Sequence, residues 1–297
     1  MPGSEKKTLT GLAVSRAMRR QVIRLDQDAS IAGGINALTK YKVNGLLATD
    51  REERPSGVLS KTDIMGAYYA GFPLDTPIKD IMSSPPLFCS YQDAIDKALD
   101  TMRSMGIYRL YVLEKGGDRV IGSLAYPDIV GLLYQYCHNC EYGHVRTKNS
   151  PARKEVQRIL VKEIMTREIK SVIKGLPISR AIEELSFYRF GAILIIDKDK
   201  TPCGVISKTD LTLAYRRGTD PGEPVQAIMS SPVQTCGSDQ LLEDAIRIMI
   251  FSDIHRLFVQ ESGTKDLTGV ISLSDAARIR SGSCHACISA RIKIETP

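Results

Sequence analysis

Two short clusters stand out as able to do chemistry. YQYCHNCEYGH, residues 134–144, holds Cys137, His138 and Cys140, and SGSCHACISAR, residues 281–291, holds Cys284, His285 and Cys287. Two cysteines separated by two residues are spaced as in structural zinc sites, and two such pairs complete a tetrahedral set of four thiolates. Four cysteines also suit an iron–sulfur cluster. Each pair alone can close a redox disulfide or remain as free thiols, and the intervening histidines can stand in for a thiolate. A single metal held by Cys137, Cys140, Cys284 and Cys287 demands that two distant parts of the chain meet, so the elements carrying them must be related.

They are related by repetition. GVLSKTDIMGAYYAG, beginning at Gly57, returns as GVISKTDLTLAYRRG, beginning at Gly204, with 9 of 15 positions identical and a shift of 147 residues. The same shift carries Met18 onto Met165, MSSP at Met82 onto MSSP at Met229, Arg109 onto Arg256, and Asp128 onto Asp275. It also carries Cys137 and Cys140 onto Cys284 and Cys287, so the two cysteine clusters are one feature duplicated. Each half divides again, because Gly57 to Gly122 and Gly204 to Gly269 both span 65 residues. Four units follow, at residues 1–75, 76–145, 158–222 and 223–297, with a polar linker at 146–157. Within a unit the apolar periodicity predicts helix, strand, strand, helix, with an extended segment ahead. So small a unit buries too little surface alone, and pairing sheet against sheet is expected.

A second motif sits where the last strand of a unit meets its last helix. It reads GVLSKTD to Asp63, GVISKTD to Asp210 and GVISLSD to Asp275, while the second unit reads GSLAYPD to Asp128, with Ala125 in place of the hydroxyl. A helix N-terminus offers unpaired N–H groups that suit phosphate. Ser60, Ser207 and Ser272, with Thr62, Thr209 and Ser274 beside them, add hydroxyl donors there. An ionised Asp three residues on accepts both hydroxyl protons of a ribose. The same Ser-X-X-Asp is equally a helix-capping box with no ligand at all. Arg109 and Arg256 begin strands at equivalent places, beside Tyr108 and His255, and would supply cations to phosphate.

These motifs resemble those of cystathionine-beta-synthase (CBS) domains, and the two pairs resemble two Bateman modules. GVISLSD with the preceding DIHRLFV is similar to the last repeat of the gamma subunits of AMP-activated protein kinase. The resemblance covers nearly the whole chain. It implies an α/β (α+β) fold of four repeats in two modules related by a pseudo-twofold axis, with clefts between paired repeats that bind adenosine nucleotides (AMP, ADP, ATP or a related adenosyl ligand). It implies site residues Ser60, Thr62, Asp63, Arg109, Asp128, Ser207, Thr209, Asp210, His255, Arg256, Ser272, Ser274 and Asp275.

Composition narrows the remaining classes. The 297 residues carry a formal charge of +6, dispersed rather than massed, so a nucleic-acid-binding protein is a third reading behind a metal or redox sensor. No apolar stretch approaches a membrane span and no signal-peptide block opens the chain, which predicts a cytoplasmic protein with reduced thiols. There is no GXXXXGK[ST] loop, HEXXH or GXSXG, and Cys89, Cys203 and Cys236 stand singly. The expectation is a regulatory protein without catalysis of its own. It forms an intramolecular disc of two modules or a homodimer, and it acts on an unidentified effector protein, since no effector segment remains outside the four units.

Overall fold

The computed structural model describes residues 12–138, 159–277, 280–281 and 292–293. Repeat 1 runs β1 (Arg24–Asp26), α1 (Ile31–Lys40), β2 (Gly45–Thr49), β3 (Pro55–Ser60) and α2 (Lys61–Ala70). Repeat 2 runs β4 (Phe88–Ser90), α3 (Ile95–Ser104), β5 (Arg109–Leu113), β6 (Val120–Ala125) and α4 (Tyr126–His138). A single turn, α5 (Val161–Ile164), precedes repeat 3, which is β7 (Ser171–Ile173), α6 (Ile178–Phe187), β8 (Ala192–Ile196), β9 (Pro202–Ser207) and α7 (Lys208–Arg216). Repeat 4 is β10 (Thr235–Gly237), α8 (Leu242–Phe251), β11 (Arg256–Gln260), β12 (Leu267–Ser272) and α9 (Leu273–Ala277), followed by the two-residue pair β13 (Arg280–Ser281) and β14 (Ile292–Lys293).

Local chemistry accounts for these elements. In α1, Ser30 accepts the N–H of Gly33 at 3.1 Å, and Ile31, Ile35 and Leu38 recur on one face, all buried. Helix α2 stops at Gly71, whose φ of +71° is a left-handed turn that glycine takes without strain. In each repeat the first strand lies parallel to the second across a helical crossover, and the third returns antiparallel through a hairpin. The central strand GLLAT is buried along its whole length, as a strand covered on both faces must be.

The chain forms two compact units, and neither is a half of the sequence. Of the described residues, unit 1 comprises 12–20, 88–138, 159–168 and those from 235 onward, uniting repeats 2 and 4. Unit 2 comprises Gln21–Leu87 and Ile169–Gln234, uniting repeats 1 and 3. Within each, the two repeats meet helix against helix: α2 packs on α7 in unit 2, and α4 on α8 and α9 in unit 1. In unit 2 they share one core, with Ile31, Ile35, Leu38 and Leu59 set against Ile178, Ile182, Leu185 and Ile206. Each such side chain contributes roughly 1.5–3 kcal/mol on burial.

Leading segments explain why the units cut across the sequence. Residues 12–19, ahead of repeat 1, bond to repeat 2: Val14 N–H donates to Asp93 O at 2.8 Å, and Arg19 and Ser123 exchange backbone bonds of 2.9 Å. Residues 78–83, on the repeat-2 side of the boundary expected at 75–76, bond to repeat 1 through Ile78 N–H to Ala29 O at 2.8 Å and the Val58–Ser83 bridge. The same exchange recurs from Thr166 to Val270 and from Ser230 to Val205. This crossing is why the third-strand glycine is a glycine. A Cβ on Gly204 would stand 2.7 Å from Ser230 O, one on Gly122 would stand 2.7 Å from Arg19 O, and Met82 and Met165 crowd Gly57 and Gly269 at 2.5 Å. Among the described residues no helix is long and apolar enough to cross a membrane.

Candidate functional site

In unit 2 both Ser-X-X-Asp turns are closed capping boxes. The Ser60 N–H and hydroxyl donate to Asp63 Oδ2 at 2.7 and 2.6 Å, and the Asp63 N–H returns to Ser60 Oγ at 3.4 Å. Ser207 and Asp210 repeat this at 2.7, 2.6 and 3.3 Å. The second carboxylate oxygen faces the crossing segment, receiving Ser83 Oγ–H at 3.1 Å on Asp63 and Ser230 Oγ–H at 2.8 Å on Asp210. Ser83 and Ser230 are site neighbours that the motif itself does not name; their signal was the MSSP stretch returning unchanged under the 147-residue shift. Thr62 and Thr209 lie exposed on the α2–α7 seam, where Lys208 Nζ donates to Thr62 Oγ1 and Lys61 Nζ to Thr209 Oγ1, both at 2.8 Å.

The same seam is closed by tyrosines. Tyr68 and Tyr215 stack with centroids 4.9 Å apart, and Tyr68 OH donates to Thr219 O at 2.7 Å while Tyr215 OH donates to Phe72 O at 2.5 Å. Burial raises the Tyr68 phenol to about 12, with Asp220 and Glu223 adding to it. These phenols stay protonated and act as donors.

Unit 1 holds the remaining predicted residues, and its two turns differ. At repeat 4, Ser272 donates to Asp275 Oδ2 from its N–H at 2.9 Å and its hydroxyl at 2.6 Å, with Ser274 Oγ 2.7 Å from Ser272 Oγ. At repeat 2 there is no serine, and Asp128 takes the Ala125 N–H at 2.9 Å on Oδ2 and the Arg19 guanidinium on Oδ1. The Asp128 side chain is 4% exposed against 57% for Arg19, so the crossing segment supplies from solvent the cation that neutralises a buried carboxylate.

Tyr108 is the hub of this unit. It stacks on His255 at 6.1 Å and meets Tyr126 edge-on at 5.1 Å. Burial drives its phenol well above the usual range, while the charges of Arg109 and Arg256 oppose that rise and Asp128 adds to it. Arg109 donates to Ser123 Oγ at 2.7 Å. Burial depresses the Arg256 guanidinium below its ordinary value, with Asp275 and Tyr108 pulling it back up. Arg109, Asp128, His255, Arg256, Ser272, Ser274 and Asp275 thus belong to one unit, and Ser60, Thr62, Asp63, Ser207, Thr209 and Asp210 to the other.

The cysteine clusters give no comparable geometry. Cys137 belongs by its backbone to the last turn of α4, and Cys140, Cys284 and Cys287 lie outside the described residues, so the expected four-thiolate site does too. Among the described residues no group of three His, Cys, Asp or Glu side chains is arranged to hold a metal. Burial pushes the Cys89 thiol up to about 12, with Asp93 adding to it, and the Cys236 thiol up to about 11, so both stay protonated rather than nucleophilic.

Comparison with known proteins is consistent along the chain. The model of the CBS domain matches residues 14–70, 78–134, 161–217 and 225–282. The uncharacterised protein MJ1225 of Methanocaldococcus jannaschii is 22% identical over 198 residues, covering 67% of this chain and 68% of that protein. The uncharacterised protein MK0525 of Methanopyrus kandleri is 27% identical over 129 residues, covering 42% of this chain and 64% of its own length. The crystal structure of MJ1225, described as that of a candidate archaeal homolog of γ-AMPK, matches with a TM-score of 0.72 at 14% identity, over 90% of this chain and 99% of that one. An uncharacterised conserved protein from Pyrococcus horikoshii matches with a TM-score of 0.59 at 19% identity, over 90% and 98%.

Proposed function

Because the chain belongs to the CBS-domain family and carries four such domains, we propose that it is a regulatory protein that binds adenosine nucleotides and has no catalytic activity of its own. AMP, ADP, ATP and related adenosyl ligands are its ligand class. The single observation that carries this reading is the charge gathered around Tyr108 in unit 1. Two arginines and two carboxylates bear electrostatically on Tyr108 or on each other there, and His255 stacks against it. A guanidinium offers five N–H donors in a fork that matches phosphate, the anion that nucleotides offer, and Arg109 and Arg256 bring two such forks to this group. The Asp of each Ser-X-X-Asp turn is the acceptor for ribose hydroxyls. In that role Asp63, Asp210 and Asp275 exchange bonds now made to serine hydroxyls for bonds to the sugar.

Regulation follows if the ligand favours one arrangement of the protein over another, since equal affinity for both shifts nothing. An effector protein then reads the arrangement, and self-association of the chain provides a further surface for it. The Cys-X-X-Cys spacing supports a second reading, a four-thiolate zinc or iron–sulfur site at Cys137, Cys140, Cys284 and Cys287 acting as a metal or redox sensor. Elemental analysis of protein purified without chelator or oxygen tests it: absence of zinc and iron together with four titratable thiols from this set defeats it.

The nucleotide reading is tested by melting the protein with AMP, ADP, ATP and S-adenosylmethionine separately. A ligand at about 100 times its Kd adds roughly 2.7 kcal/mol. If no adenine ligand at millimolar concentration moves the transition, the reading is wrong.

A further inference from the structure

The four repeats place one cross-strand pair at the same point of every sheet, between the second and third strands of the repeat. In repeats 1, 3 and 4 the pair is Leu47 with Val58, Leu194 with Val205 and Phe258 with Val270. In repeat 2 it is Tyr111 with Ser123. Three copies show that the fold needs only apolar side chains here, so the two hydroxyls of repeat 2 are not required by the architecture.

Both hydroxyls are deeply buried, with Tyr111 and Ser123 each 2% exposed. Ser123 Oγ accepts from Arg109 NH1 at 2.7 Å, and Arg109 sits two residues before Tyr111 on the same face of β5. The Tyr111 hydroxyl has no hydrogen-bond partner among the described residues. Burial raises its pKa and the Arg109 charge lowers it, so the group is a neutral phenol within reach of a guanidinium's field. An orphaned buried hydroxyl carries its full desolvation cost, which a fold that elsewhere uses Leu or Phe has no reason to bear.

Resting on the adenosine-nucleotide reading above, we propose that the Tyr111 hydroxyl, with Arg109 and Ser123 beside it, is a subsite peculiar to repeat 2 that donates a hydrogen bond to an acidic group of the ligand. The chemistry selects an acceptor. Arginine has only donors, Ser123 already accepts from Arg109, and a phenol that burial keeps protonated has its proton to give. Phosphate oxygens and a carboxylate both qualify. Repeat 4 has an arginine at the equivalent position but Phe258 and Val270 where the hydroxyls would be, and Arg256 answers to Asp275 and Tyr108 instead. The two arginines that sequence symmetry equates therefore have different surroundings, and of the two Arg109 is the one with a pair of buried hydroxyls beside it.

The experiment measures AMP and S-adenosylmethionine binding by calorimetry, and ligand-free melting, on the full chain as wild type, Tyr111→Phe and Ser123→Val. Tyr111→Phe removes one oxygen and nothing else. Its ligand-free melting temperature should equal or exceed that of wild type, because an unsatisfied hydroxyl has gone. The Kd of the ligand that wild type binds should rise roughly tenfold, about 1.4 kcal/mol. Ser123→Val, which installs the residue of the other three repeats, should fold and also weaken that ligand several-fold. Loss confined to AMP identifies a phosphate, and loss on S-adenosylmethionine a carboxylate. If wild type binds and both variants bind within twofold of it, the subsite is refuted while the nucleotide reading stands. A ligand-free Tyr111→Phe that melts several degrees lower with unchanged affinity also refutes it, since the hydroxyl would then be structural. If wild type binds neither of these, nor ADP or ATP in the same calorimeter, both readings fall together.

Discussion

The seams of unit 2 and unit 1 are built from corresponding parts of the repeats, yet one keeps the internal symmetry and the other breaks it. In unit 2, Tyr68 and Tyr215 stack and exchange equivalent hydrogen bonds, Lys61 and Lys208 reach equivalent threonines, and both capping boxes are complete. In unit 1, Tyr108 faces His255, Ala125 holds the place that Ser272 holds in the other repeat, and Asp128 is neutralised by Arg19 whereas Asp275 acts on Arg256. A contact made twice in the same way is what duplication preserves when it serves packing. Divergence of one copy, with buried charge retained, is what a ligand imposes. Under the proposed function, the comparison points to packing for unit 2's seam and to recognition for unit 1's.

The largest test of that assignment is truncation at the seams. Tyr68→Ala and Tyr215→Ala should each cost about 3–5 kcal/mol, the range for deleting a buried aromatic, and the two costs should agree within about 1 kcal/mol because the sites are equivalent. Tyr108→Ala should cost less stability but more affinity for whichever adenine ligand stabilises wild type. Urea unfolding and calorimetry on the three variants check this, and a Tyr108 variant as unstable as the others with unaltered binding breaks the comparison. Next come the glycines under the crossing segments, which both units share. Gly204→Ala and Gly122→Ala each bring a Cβ within 2.7 Å of a backbone oxygen that cannot give way. Overpacking of this kind should destabilise by about 1–3 kcal/mol in either unit, again by urea unfolding.

Smaller effects are expected at the carboxylates. Asp210→Ala in unit 2 and Asp275→Ala in unit 1 each remove a capping partner, a loss of about 1 kcal/mol in melting experiments. If the carboxylate also holds ribose, ligand affinity falls in addition to stability. Stability lost with affinity unchanged in both would leave the motif as a cap alone.

Most of the fold was legible because duplication made it so. The 147- and 65-residue spacings located every third strand, and the periodicity of SIAGGINALTKY and DAIDKALDTMRSMG gave α1 and α3. The exchange of leading segments was not legible. It depends on which sheet a short extended run joins, and Ser83 bonding back to Val58 rather than forward is a tertiary choice with no local signature. At the site, Asp63, Asp210 and Asp275 could be named from the motif, but not the way each shares its second oxygen or its cation. Arg19 was missed because its equivalent under the shift is Thr166, so repetition gave no signal there. Tyr111 and Ser123 were missed for the opposite reason: only strand register shows that they occupy the place of Leu and Val pairs.

The smallest prediction concerns a place where unit 2's seam helices depart from symmetry. Gly66 in α2 corresponds to Leu213 in α7 under the 147-residue shift. Around it the seam edges also differ, with Tyr69 OH donating to Glu183 Oε1 at 2.9 Å on one side and Arg216 Nε donating to Asn36 Oδ1 at 3.1 Å on the other. A Cβ built on Gly66 meets nothing within 4 Å, and the residue lies inside a helix without a positive φ, so no packing or backbone need explains the glycine. Gly66→Ala should therefore stabilise the protein by about 0.5–1 kcal/mol, chiefly by reducing the freedom of the unfolded chain. Ligand affinity should not change, since unit 2's seam is assigned to packing. A gain in stability with unaltered binding sharpens the division between the units. If stability rises and affinity for the adenine ligand falls, the open space beside Gly66 is used in recognition, and the α2–α7 seam is more than packing.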